Sequence, residues 1–463
     1  MPVQKQLEQR LAHRKRLEEK DVPALSMLST TLRSRLRFSI QRPHLSRHPI
    51  FRLWTNLDKK MMLRVSAKAV GFLNLRPKDE LFSAGLEMMC AYTVVSGDMV
   101  YQQYPGSSAL TSEEATFVDV GDWLCEAALW VDWTTVGRVE ASTQCQLLSV
   151  DAEQLASCVG LSLGVKDIAI EYCRHFHKRV VSAMPPLAPH PNDLNVPYTD
   201  YCDLVVSMDR QIQVTIGHDA LKQLSQHRGG KAMERLTEEV DTGKSIVLVT
   251  GTGSIIRVVS LVALEIVRPD GRIFMQIGKW ESSEKMVAFQ LPGAKHERGE
   301  LVGETTQRLL NTKLRMLRGS LEFLGTTREV RESMSKDYGV HTRYLRSLCS
   351  ARLTVDRLDD AAMVSSFTSI SAGTVSDLDM GRLMTTVSQC EVHAIRVAGD
   401  EGDRGNFYAW LSPEQITSFG TPEGERALRV WVHALSTPSG VSTELANEVS
   451  DEEVEQEEHW SCA

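Results

Sequence analysis

Between Phe72 and Val150 the apolar residues come in runs too short for helices, separated by turn-forming residues. The runs are Phe72–Leu75, Leu81–Ser83, Ala91–Val95, Met99–Gln103, Phe117–Val120 and Gln146–Val150. Such runs, bounded by Gly, Pro, Asn, Asp and Ser, read as strands. Strands this short and this frequent bury a face only by curling on one another, which predicts a small barrel or jelly-roll-like β-roll. Helices are predicted on both sides, from Lys59 to Gly71 and from Val165 to Ser182.

At 463 residues the chain exceeds one ordinary core, so two or three domains are expected. The stretch Met184-Pro-Pro-Leu-Ala-Pro-His-Pro191 holds four prolines in eight residues and reads as a semi-rigid linker. Beyond it, a strand Val258–Val267, the turn Arg268-Pro-Asp-Gly271 and a strand Arg272–Ile277 form a hairpin. At the other end, residues 1–20 read as one charged helix, interrupted by Asp21-Val-Pro23. Leu25 and Leu28 form a short apolar stripe, and Thr30 or Thr31 is placed to cap a turn carrying Leu32, Leu36 and Ile40. Pro43 and Pro49 punctuate the stretch after Ile40.

Charge is divided unevenly. Residues 1–60 carry 14 Lys and Arg against five acids, a net of +9, whereas Glu444 to Glu458 carries eight acids and no base. The basic segment is suited to anionic lipid headgroups or an acidic partner, and the acidic tail reads as disordered. No apolar run reaches the roughly 18–20 residues of a membrane-spanning helix, and the N-terminus lacks the apolar core of a secretory signal. The expected location is cytoplasmic, at the inner face of a membrane if the basic segment engages lipid. Nine cysteines without metal-ligand spacing suit a reducing compartment and buried thiols.

Leu25 to Ser182 resembles the C-linker and cyclic-nucleotide-binding domain of cyclic-nucleotide-gated, hyperpolarisation-activated and related voltage-gated potassium channels. Leu28-Ser-Thr-Thr-Leu-Arg-Ser-Arg-Leu36 followed by His48-Pro-Ile-Phe51 looks like the last C-linker helices, and Pro77-Lys-Asp79 stands where the family has Pro-Gly-Asp. Gly85 and Gly97 bracket Tyr92 at the family's strand spacing. Gly121-Asp-Trp-Leu-Cys-Glu-Ala-Ala-Leu129, then Ala141 to Val150, looks like the phosphate-binding cassette and the strand after it.

The chemistry of such a cassette is simple. A buried cyclic phosphate needs backbone N–H groups at a short helix start and an arginine, and close backbone approach favours glycine. The resemblance implies a ribose-binding glutamate at Glu126, beside Ala127. It places Cys125 where the family has glycine, and Thr135 and Val136 where it has arginine and a small hydroxylic residue. Arg138 is the nearest base. Losing one charge-assisted arginine–phosphate contact removes roughly 1.5–3 kcal/mol, so weak or lost cyclic-nucleotide binding is expected, with Trp123, Trp130 and Trp133 filling the space. A functional cAMP or cGMP sensor recruiting Arg138 is the alternative.

A second resemblance, to the Nudix box, rests on Leu291-Pro-Gly-Ala-Lys-His-Glu-Arg-Gly-Glu300 and Arg308. Phe407-Tyr-Ala-Trp-Leu-Ser-Pro-Glu414 and the helix Glu425–Leu435 extend it. Diphosphate hydrolysis needs carboxylates holding a divalent cation, but Leu309, Thr312 and Lys313 occupy the acid positions and Ala294 replaces a glycine. A catalytically dead domain is implied, with nucleoside-diphosphate hydrolysis as the other reading. Thr242-Gly-Lys-Ser245 lacks the earlier glycine of a P-loop, His175 and His177 point to different helix faces, and Gly251-Thr-Gly253 reads as a turn.

The chain is thus expected to be an α+β multidomain protein: C-linker-like helices (1–44), a β-roll with its C-terminal helix (45–183), the linker (184–198), an α/β domain, pseudo-Nudix by resemblance (199–437), and the tail (438–463). Its expected role is a non-enzymatic regulatory or assembly module of the channel-associated kind. It would carry no cofactor and no metal, with cAMP or cGMP as the ligand if the cradle binds one and a different ligand left open, form homo- or hetero-oligomers through residues 1–44, associate with a membrane surface or channel, and bind no nucleic acid. The expectation is either a separate cytosolic protein derived from a channel or an incomplete version of one, with a transmembrane portion upstream of Met1.

Overall fold

The computed structural model describes residues 22–225, 230–282, 284–335, 338–354, 390–396 and 404–435. The predicted helix over 1–20 and the acidic tail lie outside them. The chain divides into two compact units. The first comprises residues 1–184, 189–259 and 331–343, and the second residues 185–188, 260–330 and 344–463.

The first unit opens with helices α1 (Pro23–Ser26), α2 (Thr30–Leu45), α3 (Pro49–Leu57) and α4 (Lys59–Lys68). Ser29 caps α2, accepting from the Leu32 N–H at 3.3 Å, one residue before the threonines expected to do so. Pro43 does not interrupt this helix but lies within its last turn. Proline removes one ladder hydrogen bond, and burial of Phe38, Gln41 and Leu45 holds the turn in place. Pro49 takes the first turn of α3, where its missing N–H costs nothing, and α3 buries Ile50, Phe51, Leu53 and Trp54. Asp58 caps α4 through the Met61 N–H at 2.9 Å.

A β-roll comes next, as predicted. Strands β1 (Val70–Leu75), β10 (Cys145–Asp151), β4 (Cys90–Ser96) and β7 (Trp123–Leu124) form one antiparallel sheet in that order. Strands β2 (Glu80–Phe82), β9 (Gly137–Ala141), β5 (Met99–Gln103) and β6 (Glu114–Val118) form the second, and β3 (Glu87–Met88) pairs with β8 (Trp133–Thr134). Inward positions alternate along β5 and β9, placing Met99, Tyr101, Val139 and Ala141 in the core. The β4–β5 turn needs Gly97, which has φ +92° and whose Cβ would stand 2.5 Å from the Gln144 carbonyl. Helices α5 (Ala152–Gly160) and α6 (Leu163–Ser182) close the roll.

The rest of this unit holds α7 (Tyr201–Ser207), α8 (Arg210–Ser225), α9 (Lys231–Asp241) and β11 (Ile246–Val249), which pairs with the start of β12 (Ile255–Val267). Ala220, Leu221, Leu236, Val240, Val247 and Val249 form its core. Gly251 lies in the turn between β11 and β12, where its carbonyl accepts from Arg52 at 2.7 Å.

In the second unit the predicted hairpin forms between β12 and β13 (Ile273–Glu281). The sheet runs β16 (Leu321–Met334), β17 (His341–Leu353), β12, β13, β19 (Arg404–Leu411), β18 (Val392–Arg396), with β14 (Glu284–Gln290) beside β13 and β15 (Gly293–Lys295) beside β12. Helix α10 (Val302–Thr312) comes after β15, and α11 (Pro413–Phe419) and α12 (Pro422–Ala434) come after β19. Phe419, Ala427, Leu428, Trp431 and Val432 pack against Ile277, Trp280 and Phe407. No described helix is long and apolar enough to cross a membrane.

Candidate functional site

The cassette folds as β7, a tight turn, a short 3₁₀ helix over Glu126–Leu129 and β8. Cys125 enters the helix with φ +53°, the left-handed conformation that favours glycine. Its thiol is buried, and burial followed by the nearby Asp193 charge pushes its pKa up. Just after β8, the Val136 and Gly137 peptide N–H groups converge on one point inside the roll.

Those N–H groups are occupied by the chain itself. Asp193, buried and 56 residues beyond Gly137, accepts from the Gly137 N–H at 2.8 Å and the Val136 N–H at 3.1 Å. It also accepts from Trp133 Nε1 at 2.7 Å and the Tyr101 hydroxyl at 2.9 Å. Its backbone carbonyl accepts from the Cys125 N–H at 2.7 Å. Burial pushes the Asp193 carboxyl pKa up, and the four donors offset that only in part.

A tight turn presents this carboxylate. Asn192 Oδ1 accepts from the Leu194 N–H at 2.9 Å and the Asn195 N–H at 2.8 Å, and the Asn192 N–H bonds the Asn195 carbonyl. This is the local side-chain-to-backbone closure that favours Asn in turns. Asn192 Nδ2 donates to Gln103 Oε1 at 3.2 Å, fixing the turn to β5. Gly137 admits the arrangement: a Cβ there would stand 2.4 Å from the Tyr101 ring.

The residues singled out in the sequence do not share one place. Cys125 and Val136 bond Asp193 through their peptide N–H groups, while Ala127 is buried in the 3₁₀ helix. Thr135 is buried and faces the other way: its hydroxyl donates to the Ser83 carbonyl at 2.6 Å and accepts from the Leu86 N–H at 3.0 Å. It clips the turn between β2 and β3. Arg138 lies on β9, where Glu80 at 2.6 Å and Glu140 at 2.7 Å engage its guanidinium.

Glu126 turns to the helices. Its carboxylate accepts from His48 Nε2 at 3.1 Å, Trp130 Nε1 at 3.2 Å and the Tyr172 hydroxyl at 3.5 Å. His48 Nδ1 accepts from the Ile50 N–H, which leaves Nε2 to carry the proton toward Glu126. Burial pushes the Glu126 carboxyl up, but His48 and the Trp130 and Tyr172 donors outweigh it and hold the pKa below the usual carboxylate range. Around this pair Phe51 stacks on Trp123, Trp54 meets Trp130 edge-on, and Trp130 lies 4.6 Å from Tyr172.

In the second unit, Glu300 is held by Arg308 Nε at 2.8 Å and by the Thr305 hydroxyl at 2.8 Å. Leu309 is buried, and the Thr312 hydroxyl returns to the Arg308 carbonyl at 2.8 Å. Among the described residues, no group of three or more His, Cys, Asp and Glu side chains is arranged to hold a metal ion.

No family model matches the chain, and no curated protein matches it. Among solved structures it is similar to the N-terminal domain of a transcriptional regulator from Streptomyces coelicolor A3(2). That likeness has 20% identity and a TM-score of 0.25, and covers 29% of this chain and 90% of that one. A cyclic nucleotide-binding-like protein from Brucella abortus bv. 1 str. 9-941 is similar at 20% identity and a TM-score of 0.20, over 23% of this chain and 90% of that one.

Proposed function

We propose that the β-roll is a non-enzymatic regulatory or assembly module of the cyclic-nucleotide-binding type, related to the roll beneath voltage-gated cation channels, with its anion cradle filled by its own Asp193. The observation that carries this reading is the Asp193 carboxylate on the Val136 and Gly137 N–H groups and Trp133 Nε1. A cyclic phosphate would need the same donors. It would also have to displace a carboxylate that is covalently attached, and so present at high effective concentration. Glu126, the expected ribose partner, is committed to His48 and Trp130.

Oligomerisation through residues 1–44 and attachment to a channel or membrane surface belong to the same proposal. They draw support from the basic N-terminal segment and from Leu32, Leu36 and Ile40, exposed on α2. The second unit is read as a non-catalytic partner, with Leu309, Thr312 and Lys313 where a Nudix-type site needs carboxylates.

Calorimetric titration of the full chain with cAMP and with cGMP tests the central claim. The expected result is no saturable heat. Saturable binding with Kd below about 10 μM, which corresponds to roughly 7 kcal/mol of affinity, would overturn it.

A further inference from the structure

Among the described residues, the side chains and peptides bonded to the Asp193 carboxylate are neutral donors, with no cation in the set. Two peptide N–H groups, an indole N–H and a phenol O–H converge on two carboxylate oxygens, and Arg138 is held outside by Glu80 and Glu140. A carboxylate is planar and singly charged, and this donor set gives it four hydrogen bonds without any counter-charge. Phosphate is bulkier and tetrahedral, carries between one and two negative charges near neutral pH, and gains most from an arginine or a metal. The surroundings also recognise the chain that carries the acid: the Cys125 N–H reads the Asp193 carbonyl and Gln103 reads the Asn192 amide.

We infer that this cradle is a receptor for a carboxylate presented on a tight peptide turn, filled in cis by Asp193, with the chemical preference of a carboxylate site and not of a phosphate site. The inference rests on the reading of a self-filled cradle and names the ligand class that the cradle takes.

Chemical rescue of the full-length chain tests it. Asp193→Gly removes the carboxylate and leaves the donors and the turn's backbone contacts. Thermal unfolding is followed for the native chain and the variant in sodium formate, sodium phosphate and sodium chloride at matched ionic strength. Formate is expected to raise the variant's Tm saturably by about 2–4 °C over chloride, to leave the native chain unchanged, and to exceed phosphate. Phosphate rescue equal to or greater than formate rescue overturns the carboxylate preference, and so does a variant that no anion rescues.

If Asp193→Gly does not fold, Asp193→Asn decides the matter. Asparagine has the same shape but places an N–H₂ against donors, so the variant should melt clearly below the native chain; native-like melting overturns the inference. Nucleotide binding to the native chain would defeat the proposed function without touching formate selectivity, so the two failures are separable.

Discussion

His48 and Glu126 are 78 residues apart in sequence and 3.1 Å apart in the fold, joining the start of α3 to the cassette helix. His48 is buried and Glu126 keeps 26% of its side-chain surface, so the pair is neither a fully exposed bridge nor a dry one. Tyr172 of α6 adds a third element to the same carboxylate.

A double-mutant cycle with His48→Ala and Glu126→Gln should therefore give a coupling energy of about 0.5–3 kcal/mol in urea unfolding. The pH dependence comes from the depressed Glu126 pKa. Its contribution is fully present above the usual carboxylate range and is lost as pH falls through the lower folded value. Glu126→Gln should accordingly flatten the acid limb of stability against pH; an unchanged limb would show that the pair contributes nothing.

Gly137→Ala tests the close approach that seats Tyr101. Its Cβ would enter the phenol ring, so the loss should be roughly 1–3 kcal/mol, typical of overpacking. Tyr101→Phe removes a single donor to Asp193 and should cost about 1 kcal/mol. Chemical denaturation of both variants checks the order, and a Gly137→Ala chain as stable as the native one would be inconsistent with this packing.

Asp58 caps α4 and also accepts from the buried Ser162 hydroxyl at 2.7 Å. The Met61 N–H bond is the largest influence holding its carboxyl below the usual range. Asp58→Ala should cost about 1–2 kcal/mol, through loss of the cap and a stranded Ser162. Asp58→Ser should recover much of this, and a melting series of the three chains measures it.

His175 supplies a second pH signature. Burial, then the charges of Arg179, Lys178 and Arg174, pushes its pKa down to about 4, even with Glu171 at 3.3 Å. A depressed imidazole makes the folded state bind fewer protons, so stability falls as pH drops from the ordinary histidine range toward 4. Proton NMR of the ring should show no His175 titration between about pH 8 and 5.

The roll was legible because its longer strands alternate and its turns carry Gly85, Gly97 and Gly121, all with positive φ. Strands β3, β7 and β8 were not, since two residues make no period. Strand β9 is absent from the predicted runs although Gly137-Arg-Val-Glu-Ala141 does alternate inward and outward; with Arg138 and Glu140 on its outer face and a glycine at its start, it offers no apolar run. The cassette was legible as a constellation, and Cys125 in a glycine-like conformation fits its place there. Asp193 was not legible. It sits two residues beyond Pro191, inside the linker, and its four donors come from β5, β8, the segment after β8 and the start of β9, so no local spacing connects them.

The Asn192–Asn195 turn makes the acid in the cradle a part of the polypeptide. Filling the site is therefore unimolecular: dilution does not empty it, and a rise in a metabolite does not fill it. Emptying it would require the backbone of residues 192–195 to move, because the Asn192 side chain and the Asp193 carbonyl are tied to Gln103 and Cys125 as well.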